Sequence, residues 1–253
     1  MKGVFLGMEK KAGLFEDVYG FILEQIFQQK LSYGQKIQEE AISQALGISR
    51  TPIREALRKL ESDGLVEILP KQSAKIVTLT EKDVKQLGAV KLQLDFLTAQ
   101  MAIFHGSNAD FKRLEQINEE LAHALRENDS YHVLKKDMAF QRAYTQISGN
   151  PILSSLQAQL QLKTALYQSV KWTELPHMMN DSLYHHQAII ESLYARDVDR
   201  ILRCIIPYIS TSYGIDANVY SMMVVDFSVG RTPLPYGAER MYAAPSGKKM
   251  SNF

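Results

Sequence analysis

Hydrophobic positions recur at helical spacing along most of the chain. Leu14, Val18, Phe21, Ile22 and Ile26 trace a first helix, and Ser32-Tyr33-Gly34 reads as a turn. Ile42, Ala45 and Leu46 make a short apolar face that stops at Gly47, where a helix end calls for the left-handed conformation. Ile48 then packs inward and Ser49 occupies a capping position. Pro52 falls in the first turn of a second helix, where no backbone N–H is required. Ile53, Ala56, Leu57 and Leu60 form the apolar stripe of that helix, which Asp63-Gly64 ends. Leu65-Val-Glu-Ile-Leu69 alternates as a strand, Pro70 to Ala74 turns, and Lys75-Ile-Val77 returns as a second strand.

Beyond Thr80-Glu-Lys-Asp83, a helix start with a capping hydroxyl and an acid three positions on, the pattern is almost wholly helical to Gly214. Leu87, Val90, Leu94, Leu97 and Met101 form one stripe, and Phe111, Leu114, Ile117, Leu121 and Leu125 another. A third runs from Ser130 to Ile147 and stops at Gly149-Asn150-Pro151; Leu153 through Val170, Leu183 to Tyr194 and Val198 to Ile209 follow. The chain is thus expected to be mainly α: an N-terminal winged helix-turn-helix at 14–78 and a C-terminal all-α antiparallel helical bundle at 80–214. Residues 1–13 are expected to be loose. The tail, 215–253, is expected to be poorly ordered, with three prolines between Gly230 and Pro245, although Ser221 to Phe227 could form a strand or arm.

Composition narrows the function. With 45% hydrophobic and 23% charged residues among 253, the chain can bury real cores, yet its net charge is only +1. No global field draws it to nucleic acid, so any such affinity must come from local clustering. Arg50, Arg54 and Arg58 supply it: spaced by four, they share the helix face opposite the apolar stripe. Such a row suits a major groove, where arginine bonds guanine bidentately or clamps phosphates. One cysteine, Cys204, excludes an internal disulfide and, among Ile201, Leu202, Ile205 and Ile206, reads as a buried thiol. Val4-Phe-Leu6 is too short for a signal-peptide core and no segment is long enough to span a bilayer, so a cytoplasmic protein is expected.

Ile48-Ser-Arg-Thr-Pro-Ile-Arg-Glu-Ala-Leu-Arg-Lys-Leu60 followed by Asp63-Gly64-Leu65-Val66 resembles the DNA-binding signature of the GntR family of bacterial transcription regulators. The resemblance implies a homodimer on a short palindromic duplex, with Ser49, Arg50, Thr51 and Arg54 at the contacting positions. Arg58, and Lys71 and Lys75 at the wing, add cations to that face. Ser73 stands where the family usually has glycine, so the wing is expected to contribute little specificity.

The helical half resembles the FCD effector domain of the FadR subgroup. Lys91-Leu-Gln-Leu-Asp95 stands in for Arg-x-x-x-Glu, Asp137-Met-Ala-Phe-Gln141 for Asp-x-x-Phe-His, Ser148-Gly-Asn150-Pro151 for Gly-Asn-Pro, and His186-Gln-Ala-Ile189 for His-x-x-Ile. Tyr208 falls where a further histidine is expected. In metal-binding members an aspartate and three histidines hold a divalent cation. Here Asp137 and His186 keep the ligand type, while Gln141 and Tyr208 replace two imidazoles. Neutral amide and phenol are poor ligands, so no cofactor is expected and a bound divalent metal is not favoured. His185, beside His186, is expected at the surface.

Lys91 leaves two readings open: a pocket cation that receives a ligand carboxylate, or a lysine on a solvated face. If the pocket persists, Lys91, Asp137, Gln141, Asn150, His186 and Tyr208 would hold a small polar or carboxylate effector without a metal. The leading function is therefore a DNA-binding transcription regulator, a repressor released by a metabolite. One alternative is a regulator whose bundle serves only dimerisation. A remote one is an enzyme using Asp137 and His186, which lacks a legible nucleophile or complete metal site.

Overall fold

The structure is a computed structural model and describes residues 11–69 and 73–216. Its N-terminal elements are α1 (Lys11–Phe27), α2 (Glu39–Leu46), α3 (Arg50–Ser62), β1 (Val66–Glu67) and β2 (Lys75–Ile76). Gly47 closes α2 at φ +67°, returning its N–H to the carbonyl of Ser43, and the hydroxyl of Ser43 donates to the carbonyl of Ile48 at 2.7 Å. Those two bonds fix the turn between α2 and α3. Ser49 sits at the N-cap of α3 but its side chain makes no capping bond there.

The wing is shorter than the alternation at 65–69 suggests. β1 and β2 pair antiparallel, with Val66 opposite Ile76 and Glu67 opposite Lys75. The ladder stops because the N–H of Ile68 donates to the Glu61 side chain at 3.2 Å instead of continuing across the hairpin. β2 also pairs with the segment after the Ser32–Gly34 turn, through a bridge between Lys36 and Lys75.

Six helices follow: α4 (Glu81–His105), α5 (Asn108–Arg126), α6 (Ser130–Ile147), α7 (Pro151–Glu174), α8 (His177–Tyr194) and α9 (Val198–Tyr213). Their starts are chemically marked. Thr80 with Asp83 and Ser107 with Asp110 form reciprocal capping boxes, and Asp129 and Asp197 cap α6 and α9. α4 and α9 approach closely at Gly88, where a Cβ would lie 2.3 Å from that of Tyr213. No helix among the described residues is long and apolar enough to cross a membrane.

The two sets of elements share one apolar core. Val18, Ile22, Ile53, Leu57 and Leu60 belong to the same buried cluster as Leu121, Val133, Leu134, Ala165, Leu166 and Trp172. Each such side chain, fully buried, stabilises by about 1.5–3 kcal/mol relative to exposure. Cys204 is buried as expected, and burial pushes its thiol up to about 12. α1 begins at Lys11, so residues 11–13 are helical and not loose as expected. Residues 1–10, the tip of the wing at 70–72 and the tail from 217 lie outside the described residues, and with them the rest of that expectation and those for Lys71 and the segment 221–227.

Candidate functional site

The outward face of α3 carries the basic row. Ile53, Ala56, Leu57 and Leu60 bury its back, while Arg50, Thr51, Arg54 and Arg58 are exposed together with Ser49. The row is not electrostatically bare. Arg50 pairs with Glu40, and Arg54 Nε pairs with Glu39 Oε2 at 2.9 Å, both acids lying in the first turn of α2. Lys75 on the wing is likewise paired with Glu67 across the hairpin at 2.9 Å. These pairs are solvent-exposed and hence weak, so a phosphate or base edge can replace the carboxylates.

The second site is a cavity of about 230 Å³ in the bundle, bordered by α4, α6, α7 and α9. Of the expected residues it brings together Lys91, Asp137, Gln141 and Tyr208. His186 lies immediately behind them, fully buried, with Nε2 at 3.3 Å from both Asp137 Oδ1 and Gln141 Nε2 and its ring stacked on Phe140 at 3.7 Å. Burial opposes ionisation of Asp137. The hydrogen bonds and charge of His186, a hydrogen bond from Ser182 and the Lys91 ammonium outweigh it, so this carboxyl titrates below the usual range.

Three expectations are corrected here. Lys91 is neither solvated nor free: it is 6% exposed, and its Nζ contacts both oxygens of Asp95, at 2.9 and 3.2 Å. Asn150 does not border the cavity. Its Oδ1 accepts the N–H groups of Ile152 and Leu153, which makes it the cap of α7. His185 is 1% exposed rather than superficial, with its ring stacked on Tyr208 at 3.8 Å. Burial holds it well below the ordinary imidazole range, helped by the neighbouring His186 and Lys91 charges.

The chemistry of the donor set does not favour a resident divalent metal. Among the described residues no three His, Cys, Asp or Glu side chains converge. Burial and the charge of Asp137 raise the Tyr208 phenol above its ordinary range. Asp137 accepts from Ser182 and from Gln168 Nε2 at 3.2 Å, and it faces His186.

Several lining residues were missed from sequence: Gln157, Gln161, Thr164 and Gln168 on α7, with Arg142 and Tyr213. A signal existed. The four α7 positions are spaced 4, 3 and 4, a polar stripe on one helix face. A neighbouring face of the same helix meets the DNA-binding elements. Gln29 Nε2 donates to Ser169 Oγ at 2.8 Å, the Tyr33 hydroxyl to the Leu166 carbonyl at 3.5 Å, and Ala165 and Leu166 enter the shared core.

A helix-turn-helix with a basic outer face, joined to a helical bundle with a polar cavity, defines a DNA-binding transcription regulator rather than an enzyme. Comparison with known proteins agrees. The model of the bacterial regulatory proteins of the gntR family matches residues 14–76, and the FCD domain model matches 86–210. The chain belongs to the GntR family and carries an FCD domain. It is 27% identical over 150 residues to the transcriptional regulator YdhC of Bacillus subtilis, covering 59% of this chain and 67% of that one. It is 28% identical to the transcriptional repressor NanR of an Enterobacter species, covering 72% and 78% of the two chains. The structure of Escherichia coli McbR/YncC superposes with a TM-score of 0.69 at 19% identity, over 85% of this chain and all of the other, which shows a common fold.

Proposed function

We propose that this regulator acts in the cytoplasm as a homodimeric repressor, binding a palindromic operator through α3 and released by a small polar metabolite in the bundle cavity, with no resident metal. In this reading residues 14–78 and 80–214 are two functional domains, and Ser49, Arg50, Thr51, Arg54, Arg58 and Lys75 face the duplex. The observation that carries it is the double role of α7. Gln157, Gln161, Thr164 and Gln168 line the cavity, while Leu166 and Ser169 are bonded to Tyr33 and Gln29 in the connection that follows α1. A ligand that binds one setting of α7 better than another biases the position of α3 by that difference in affinity. A bundle that served only for dimerisation would need neither the cavity nor its buried polar lining.

The outer face of α4 supports the dimer. Gln86, Val90, Gln93, Leu97, Gln100 and Phe104 are exposed at alternating spacings of four and three, and none is charged. Phe104 is 83% and Val90 52% exposed. That spacing is the seam of a helix packed against another helix. A second copy presents the same uncharged stripe, as a twofold interface requires.

The test is selection of duplexes from a random library by the full-length protein, followed by sedimentation of the complex. The expected result is an inverted repeat with half-sites about one helical turn apart, bound by two chains. Sequence-independent binding, or a single chain on a single half-site, contradicts the proposal.

A further inference from the structure

The polar lining of the bundle cavity has a direction. Gln157 Nε2 donates to Asp95 Oδ1 at 2.9 Å, Gln161 Nε2 to the carbonyl of Met138 at 2.6 Å, and Gln168 Nε2 to Asp137 Oδ2 at 3.2 Å. A carbonyl oxygen and an ionised carboxylate can only accept, so each amide must turn its N–H toward that partner and its oxygen away. The orientation of these three glutamines therefore follows from their partners. Gln168 is 8% exposed and its Oε1 has no hydrogen-bond partner. A buried acceptor left unpaired is costly, and one that borders a cavity is readily paired by a donor arriving there.

The charges point the same way. The Lys91 ammonium is held by both oxygens of Asp95, and Asp137 stays ionised on the same wall. Arg142, the other cation of the lining, is exposed. An anionic group at the inner wall would meet the unpaired Gln168 amide oxygen and the Asp137 carboxylate, beside an ammonium already engaged. An ammonium-bearing ligand would meet Lys91 close by. A hydroxyl meets neither obstacle, and a molecule with several of them can accept from Tyr208 and donate to Gln168.

We infer that the inner end of this cavity takes a neutral, hydroxyl-rich small molecule, a polyol or sugar, which donates hydrogen bonds to Gln168 Oε1 and Asp137, and that it discriminates against carboxylates. The inference rests on the effector reading above and specifies the ligand class. It replaces both sequence readings of Lys91, which here neutralises a buried wall instead of receiving an acid or facing solvent.

The experiment is calorimetric titration and thermal stabilisation of the full-length protein with matched series: pentitols, hexitols and aldoses, their aldonic and aldaric acids, and an aminodeoxyhexitol. A neutral member is expected to bind at least tenfold more tightly than its own aldonate. Gln168→Leu, which removes the acceptor, should weaken that binding tenfold or more, and Gln168→Met guards against a packing defect in the leucine variant. Tighter binding of an aldonate or aldarate than of its neutral parent overturns the inference while leaving the effector reading intact. Neutral binding unchanged in both Gln168 variants overturns it too, as does the absence of binding by every neutral member. In those cases the effector reading is judged separately, by filling the cavity with a side chain and measuring operator affinity.

Discussion

The basic face of α3 and the bundle cavity both match acid to base, but under opposite conditions. On α3, Arg50 and Arg54 meet Glu40 and Glu39 in the open, more than half of each arginine being exposed. In the bundle, Lys91 and Asp95 are 6% and 3% exposed. An exposed pair contributes about 0.2–1 kcal/mol and yields readily to another anion. A buried pair is held by the cost of leaving either charge alone, about 3–5 kcal/mol. The first arrangement is suited to exchange with DNA, the second to a fixed wall.

That contrast predicts its largest effect in the bundle. Lys91→Met should destabilise the protein by about 3–5 kcal/mol in chemical denaturation, because Asp95 is left buried without its counter-charge. Adding Asp95→Leu should restore much of the loss, as a buried pair replaced by apolar groups of similar size is often tolerated. A loss below 1 kcal/mol for the single variant would mean that the pair is solvated after all.

Arg54→Ala should cost about 1–3 kcal/mol on a selected operator and relax preference at one base position, with folding unchanged. Anisotropy titrations against operator variants measure both. Equal loss on every sequence would make Arg54 a phosphate contact only.

Histidine burial gives a pH signature of comparable size. The imidazole of His185 is depressed from its ordinary value of 6.5, so the unfolded chain binds a proton that the folded chain refuses. Stability is therefore complete above about pH 6.5 and falls as pH drops below it, by up to about 1.4 kcal/mol per unit for one proton. Asp137, depressed in the opposite sense of charge, adds a further loss only below the ordinary aspartate range. His185→Phe should flatten the slope between pH 6.5 and 5; an unchanged slope assigns it to another group.

The smallest effect lies at the exposed pairs. Glu39→Gln and Glu40→Gln should each raise DNA affinity a few-fold at low salt and leave stability within about 0.5 kcal/mol, since each removes a weak competitor for an arginine. A large stability loss would make these acids structural partners of α3.

Much of this was legible in the chain itself. Gly47, Pro52 and Asp63-Gly64 punctuate the helix-turn-helix through backbone chemistry that acts locally, and Thr80 with Asp83 marks α4 in the same way. The helical stripes gave the bundle, except that on α4 Val90 and Leu97 of the stripe face outward. Pairings between distant elements were less accessible. Glu39 and Glu40 reach α3 only because the turn folds α2 against it, and Ser182 and Gln168 reach Asp137 from two other helices. The Lys91–Asp95 pair was within reach, since i and i+4 face one another on a helix, but its burial depends on α7 and α9. Family resemblance drew Asn150 into the pocket because its position matched, whereas its side chain serves the start of α7.

In the proposed function α7 carries the state of the cavity to α3. That coupling is tested most directly without any ligand, by Gln161→Trp, which fills the cavity from α7 while leaving α3 and its arginines untouched. Operator affinity of the full-length variant and of the wild type is measured by anisotropy, with circular dichroism to verify folding. At least a tenfold change in affinity is expected in a folded, dimeric variant. An affinity equal to that of the wild type would contradict it, because the cavity could then be occupied without consequence for DNA.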